Sequence, residues 1–334
     1  MSMLKGMFIM NEESFPLVYP HNVRNQIEKL TDVYLAPQTS QSVSEDPALL
    51  RNAEVIFSGW GGPNLNEEFL QAAPDLKAFF YAAGSMKGIV TDACWQRNIT
   101  FTSAYAANAV PVAEYTLSQI LFSLKYGWHS ALSIKQTKLF KKPPLPPAPG
   151  ALGSTIGIIS LGMVGRRVCK LLENFQVKVI AYDPFISERQ ASSLNVELCS
   201  LEDIFRLSDV VSLHTPWLKE TEGMITGAHF EMMKPYATFI NTARGAVVRE
   251  NELIEVLKRR SDMIAILDVT YPEPPVSDSQ LYSLPNVILT PHIAGSQGNE
   301  CGRMGAYMLE ELERYLEGRP LKWQVTKNNF SLMA

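Results

Sequence analysis

The 334-residue sequence predicts an α/β protein with parallel sheets. Short apolar runs of strand length alternate with helical segments along most of the chain, and one of them leads through a glycine-containing loop into a helix. The length suggests about two domains. Hydrophobic residues make up 46% and charged residues 19%, which excludes an intrinsically disordered chain. With 30 Lys+Arg against 34 Asp+Glu the net charge is −4, so neither nucleic acid nor an anionic membrane is expected as a partner.

The apolar run Met7 to Met10 is too short for the core of a signal peptide. Val33-Tyr34-Leu35 and Glu54-Val55-Ile56-Phe57 are strand candidates, the second ending in a Gly-rich turn over 58–63. A short helix is expected over 66–72 and a buried strand over 76–81. Pro111 is read as the first residue of a long helix carrying Val112, Tyr115, Leu117, Ile120, Leu121 and Leu124. Leu117 to Leu124 ends at Lys125, far short of a membrane span. Five prolines between 141 and 150 exclude helix or central strand there and predict an extended connection. Beyond them come a strand over 154–160, a helix over 162–175, and strands over 177–182, 210–213, 238–240, 264–267 and 287–289. An amphipathic helix with Met304, Met308, Leu309, Leu312, Tyr315 and Leu316 closes the chain before Gly318 and Pro320. Cys94, Cys169, Cys199 and Cys301 show neither a CxxC nor a metal-ligand spacing. They are read as free thiols of a cytoplasmic protein, and no metal site is expected.

The first strand of the second half runs into Ser160-Leu161-Gly162-Met163-Val164-Gly165, a dinucleotide fingerprint with serine in the first glycine position. Gly162 lets a diphosphate approach the amides of Met163 and Val164 at the positive end of the helix, and Gly165 allows close helix–strand packing. We take the turn at Ser160 to be compatible with negative φ. The next strand ends in Asp183, 18 residues beyond Gly165, where an acid accepts the adenosine ribose hydroxyls and repels a 2′-phosphate. The expected cofactor is therefore NAD (NADH).

Four further motifs follow in order: His214-Thr215-Pro216, Asn241-Thr242-Ala243-Arg244-Gly245, the segment Asp268 to Pro274 containing Glu273, and Thr290-Pro291-His292-Ile293-Ala294-Gly295. With the glycine loop they resemble the D-isomer-specific 2-hydroxyacid dehydrogenases, and the likeness runs over nearly the whole chain. The resemblance implies two Rossmann-like domains with parallel sheets, one flavodoxin-like and one NAD-binding. The cofactor domain, residues 108–294, is inserted into a substrate domain made of 1–107 and a returning C-terminal helix within 295–334. It also implies a homodimer formed through the cofactor domains.

By the same resemblance Arg244 holds the substrate carboxylate, His292 exchanges a proton with the substrate oxygen, and Glu273 orients the imidazole and favours its charged form. Thr242, Ala243, Arg244, His292 and the residues His214, Thr215 and Pro216 line the cofactor, while Asp268 accepts from the nicotinamide carboxamide. Ala83, Gly84 and Ser85 occupy the place of the family's carboxylate-holding loop, and Trp60 covers the substrate. The implied activity is interconversion of a small 2-oxo acid and its D-2-hydroxy acid by hydride transfer. A different class shares the scaffold: NAD(H)-binding regulatory proteins of the C-terminal-binding corepressor type. Turnover of 2-oxo acids separates the two.

Overall fold

Val55–Ser58 and Ala78–Tyr81 are buried at every residue, as strands covered on both faces must be. They form the centre of the first sheet of the computed structural model, which describes residues 3–331 and 333. The chain divides into two units, Met1–Asn108 with Ser296–Ala334, and Ala109–Gly295.

In the first unit the strands are β1 (Lys5–Ile9), β2 (Asp32–Val33), β3 (Val55–Ser58), β4 (Ala78–Tyr81), β5 (Thr100–Ser103) and, late in the chain, β13 (Gln324–Val325). Their order is β13-β5-β4-β3-β1-β2, all parallel except the β13–β5 pair. Apart from that added edge strand, this is the flavodoxin-like order. The helix Cys301–Leu316 lays Met304, Met308 and Leu312 against Phe8, Phe57 and Phe80. Its buried Glu311 accepts from the amides of Lys322 and Trp323 at 3.0 and 3.1 Å, which ties the returning tail beside β5.

The second unit holds β6 (Thr155–Ile159), β7 (Lys178–Tyr182), β8 (Glu197–Leu198), β9 (Val210–Leu213), β10 (Thr238–Asn241), β11 (Ile264–Leu267) and β12 (Val287–Leu289). All pairs are parallel, in the order β12-β11-β10-β9-β6-β7-β8. The direction of winding reverses between β6 and β9, so a crevice for ligand opens at the carboxyl ends of those two strands. The α/β class with parallel sheets is thus as the sequence predicts.

Some elements differ from expectation. Pro111 does not begin its helix but lies inside Tyr105–Ser123. The first turn, Tyr105 to Asn108, includes Ala106 and Ala107, and the amides of Ala107 and Asn108 both donate to the Ala104 carbonyl. Alanine's helix propensity sets the start ahead of proline's preference for the first turn. Strands β1 and β5 and the helix Gly127–Thr137 were not anticipated; that helix buries none of its residues, so it leaves little periodic pattern to read. The proline-rich segment is irregular, as expected.

Candidate active site

The glycine loop leaves β6 through Ser160, whose amide donates to the Tyr182 carbonyl at 2.8 Å. Its φ is +76°, which corrects the expectation of negative φ: the turn needs the left-handed region, and serine occupies it at some strain. Gly165 is demanded by packing, because a Cβ there would stand 2.1 Å from the Ser160 carbonyl oxygen. Gly162 is different. Beyond its own chain neighbours, a Cβ on it would meet only Ser160 Oγ among the described residues, at 4.0 Å, so packing does not require glycine there. Its bare backbone and the start of the helix Met163–Leu172 are exposed, with room for an anion at the helix N-terminus. Asp183, at the end of β7, accepts from Leu161 N at 2.7 Å and Phe185 N at 2.9 Å and stays half-buried. The loop thus fits a dinucleotide.

After β9, His214 donates its amide to the Ile159 carbonyl, and its Nε2 lies 3.0 Å from Ser212 Oγ. Among the described residues its covered Nδ1 has no partner, and burial pushes the imidazole down to about 3, so the ring is neutral. Thr215 is buried, and the Pro216 carbonyl accepts from Thr221 Oγ1. On the neighbouring strand, Thr242 is buried with its hydroxyl 3.3 Å from that of Thr116.

The loop after β10 explains its own motif. Asn241 accepts from Ala243 N at 3.0 Å and donates to the Arg244 carbonyl at 3.2 Å, closing the turn that carries Arg244. Gly245 follows because a Cβ would stand 2.0 Å from the backbone of Thr270. The Arg244 guanidinium donates to the Ala243 carbonyl at 2.6 Å. Burial lowers its pKa, opposed by the field of Glu273.

His292 Nδ1 stands 2.6 Å from Glu273 Oε1, and both side chains keep access to solvent. The Nδ1 hydrogen bond leaves Nε2 as the atom that can exchange a proton. The backbone of His292 is itself left-handed, φ +54°, with its amide 3.0 Å from the carbonyls of both Asp268 and Thr290. Asp268, only 2% exposed, braces this loop: it accepts from Thr290 Oγ1 at 2.6 Å, Ile293 N at 2.8 Å and Ala294 N at 2.9 Å. The Thr290 proton is committed to Asp268, so the Tyr115 hydroxyl, 3.0 Å away, is the donor to Thr290. Burial raises the Tyr115 phenol, keeping it protonated. Tyr115 was legible in the sequence only as an apolar helix position. Its partnership spans 175 residues of sequence and has no local signal.

In the first unit, Trp60 follows β3 and Ala83-Gly84-Ser85 follows β4, neighbouring parallel strands. Ser103 Oγ lies within hydrogen-bond distance of the carbonyls of Ala83 and Gly84, at 2.9 and 2.6 Å. Among the described residues the amides of Gly84 and Ser85 donate to no acceptor, which leaves two adjacent donors on a half-buried loop.

Comparison with known proteins agrees with this geometry. Residues 126–294 match the family described as D-isomer specific 2-hydroxyacid dehydrogenase, NAD binding domain. The YoaD protein of Bacillus subtilis (strain 168), whose name places it among the 2-hydroxyacid dehydrogenases, is 35% identical over 244 residues, 70% of this chain and 68% of its own. The chain belongs to this family. D-3-phosphoglycerate dehydrogenase of Archaeoglobus fulgidus is 33% identical over 258 residues, 77% of this chain but 49% of that protein. The chain thus spans about half the length of several curated relatives. The holo form of D-mandelate dehydrogenase from Rhodotorula graminis is similar with a TM-score of 0.81, covering 98% of this chain and 99% of that one; at 24% identity this likeness bears on the fold alone. Among the described residues no helix is long and apolar enough to cross a membrane.

Proposed function

We propose that the protein is an NAD-dependent oxidoreductase that interconverts a small 2-oxo acid and the D-2-hydroxy acid. The observation that carries this reading is the His292–Glu273 pair at 2.6 Å, standing with Arg244 on loops at the carboxyl edge of one parallel sheet. When bound, the nicotinamide supplies the hydride acceptor or donor. Ser160, Gly162, Met163, Val164, Gly165 and Asp183 would hold the adenosine and diphosphate half, and His214, Thr215, Pro216, Thr242, Ala243 and Asp268 the remainder. Glu273 holds Nδ1 and so presents Nε2 of His292, which donates a proton to the substrate oxygen in reduction and accepts it in oxidation. Arg244 binds the carboxylate and polarises the carbonyl through its planar guanidinium. Trp60 and the Ala83-Gly84-Ser85 loop are proposed substrate-binding residues.

The substrate is a small unphosphorylated acid. The turns over 58–63 and 83–88 contain one basic residue, Lys87, whereas a phosphate is usually met by a cluster of Arg or Lys. NADH oxidation should be measured against glyoxylate, hydroxypyruvate, short aliphatic 2-oxo acids and a phosphorylated 2-oxo acid. Turnover with the neutral-tailed acids is expected, and a strong preference for the phosphorylated one would overturn the substrate assignment. Arg244→Lys should raise KM for the 2-oxo acid while leaving NADH affinity within about twofold, since an ammonium cannot reproduce the fork.

A further inference from the structure

The one departure of the glycine loop from the dinucleotide fingerprint is Ser160, and its side chain sits where a ligand would be met. The backbone is fixed on both sides: the amide is bound to Tyr182, and the carbonyl is packed under the Cα of Gly165. The φ is +76°, and the hydroxyl lies beside Gly162, which is exposed. Its oxygen lies 4.0 Å from the point a Gly162 Cβ would occupy, and among the described residues no other heavy atom outside Leu161, Gly162 and Met163 comes within that radius. Among the described residues no protein group bonds this hydroxyl. A serine in left-handed backbone costs stability that glycine would spare.

Given the cofactor reading above, on which this inference rests, we propose that Ser160 Oγ is a hydrogen-bond donor to a diphosphate oxygen of the bound dinucleotide. An anion approaching the bare backbone of Gly162 comes within reach of the hydroxyl. A neutral O–H meeting a charged oxygen makes one of the stronger hydrogen bonds open to a side chain. Serine thereby exchanges the unstrained turn of the fingerprint for an additional phosphate ligand.

Two substitutions separate hydroxyl from strain. Ser160→Ala removes the hydroxyl and keeps the strain; Ser160→Gly removes both. Kd should be measured for NADH and for ADP-ribose, with Tm recorded for each protein. Both variants should bind both ligands about 10-fold more weakly. Only Ser160→Gly should gain Tm, by a few degrees. Either variant binding NADH within twofold of the wild type would overturn the assignment, as would a loss for NADH that ADP-ribose does not share. Failure of the wild type to bind NADH or ADP-ribose at all would instead overturn the dehydrogenase reading.

Discussion

Asp183 and Asp268 end two strands of the same sheet, β7 and β11, and both spend their carboxylates on loop amides, but in different degree. Asp183 accepts from two amides, one on each oxygen, and remains half-buried, so each oxygen keeps capacity for a ligand hydroxyl. Asp268 is 2% exposed and accepts from two amides and a hydroxyl. The first carboxylate shapes its turn and stays only half-buried. The second holds the backbone that carries His292 in a left-handed conformation. The same residue type at equivalent places in the fold can thus leave more or less of its carboxylate to a ligand, according to how many of its lone pairs the chain itself consumes.

Removing each carboxylate should reveal that difference. Asp268→Ala leaves the Thr290 hydroxyl and the amides of Ile293 and Ala294 without acceptors. It should cost about 3 kcal/mol or more, read as a lower urea midpoint at unchanged m. Near-native stability would break the comparison. Asp183→Asn should cost less, about 1–2 kcal/mol: its amide oxygen can replace only one of the two acceptor oxygens, and its NH2 then faces the other backbone N–H. Its main effect should be on cofactor choice. The kcat/KM ratio of NADPH to NADH should rise about 10-fold or more once the negative charge facing a 2′-phosphate is gone. An unchanged ratio would make Asp183 a loop tie of the same kind as Asp268. The smallest effect should come from Tyr115→Phe, which removes the outermost donor of the Asp268 chain. It should lower kcat several-fold with substrate KM unchanged, at a stability cost of about 1 kcal/mol. A change confined to KM would show that Tyr115 serves something other than the His292 loop.

Much of this was legible in the sequence where physics acts locally. The strand into Gly162 and Gly165 and the acid 18 residues further on at 183 are signals of spacing, while Arg244, Glu273 and His292 were legible through the ordered motifs that resemble the family. Local signals also mark the helix start at Asn66 and the stop at Gly318. The structure also supplies reasons the sequence alone did not: Asn241 and Gly245 stand in their motif because one closes the turn and the other lets Thr270 approach. What was missed depends on tertiary context. Whether Ser160 takes positive φ is decided by its Tyr182 and Gly165 neighbours, not by the serine. Pro111 is overruled by the alanines before it, and the partner of Tyr115 lies on a distant strand end.

The central claim is that His292 carries the proton. His292→Asn keeps a polar side chain of similar size that cannot exchange one. With the 2-oxo acid that the wild type reduces best, kcat should fall by about 10²–10⁴-fold. NADH Kd should stay within about twofold, because Ser160 to Gly165 and Asp183 are untouched. Turnover near that of the wild type, with NADH binding intact, would contradict the assignment of His292 as the acid–base residue.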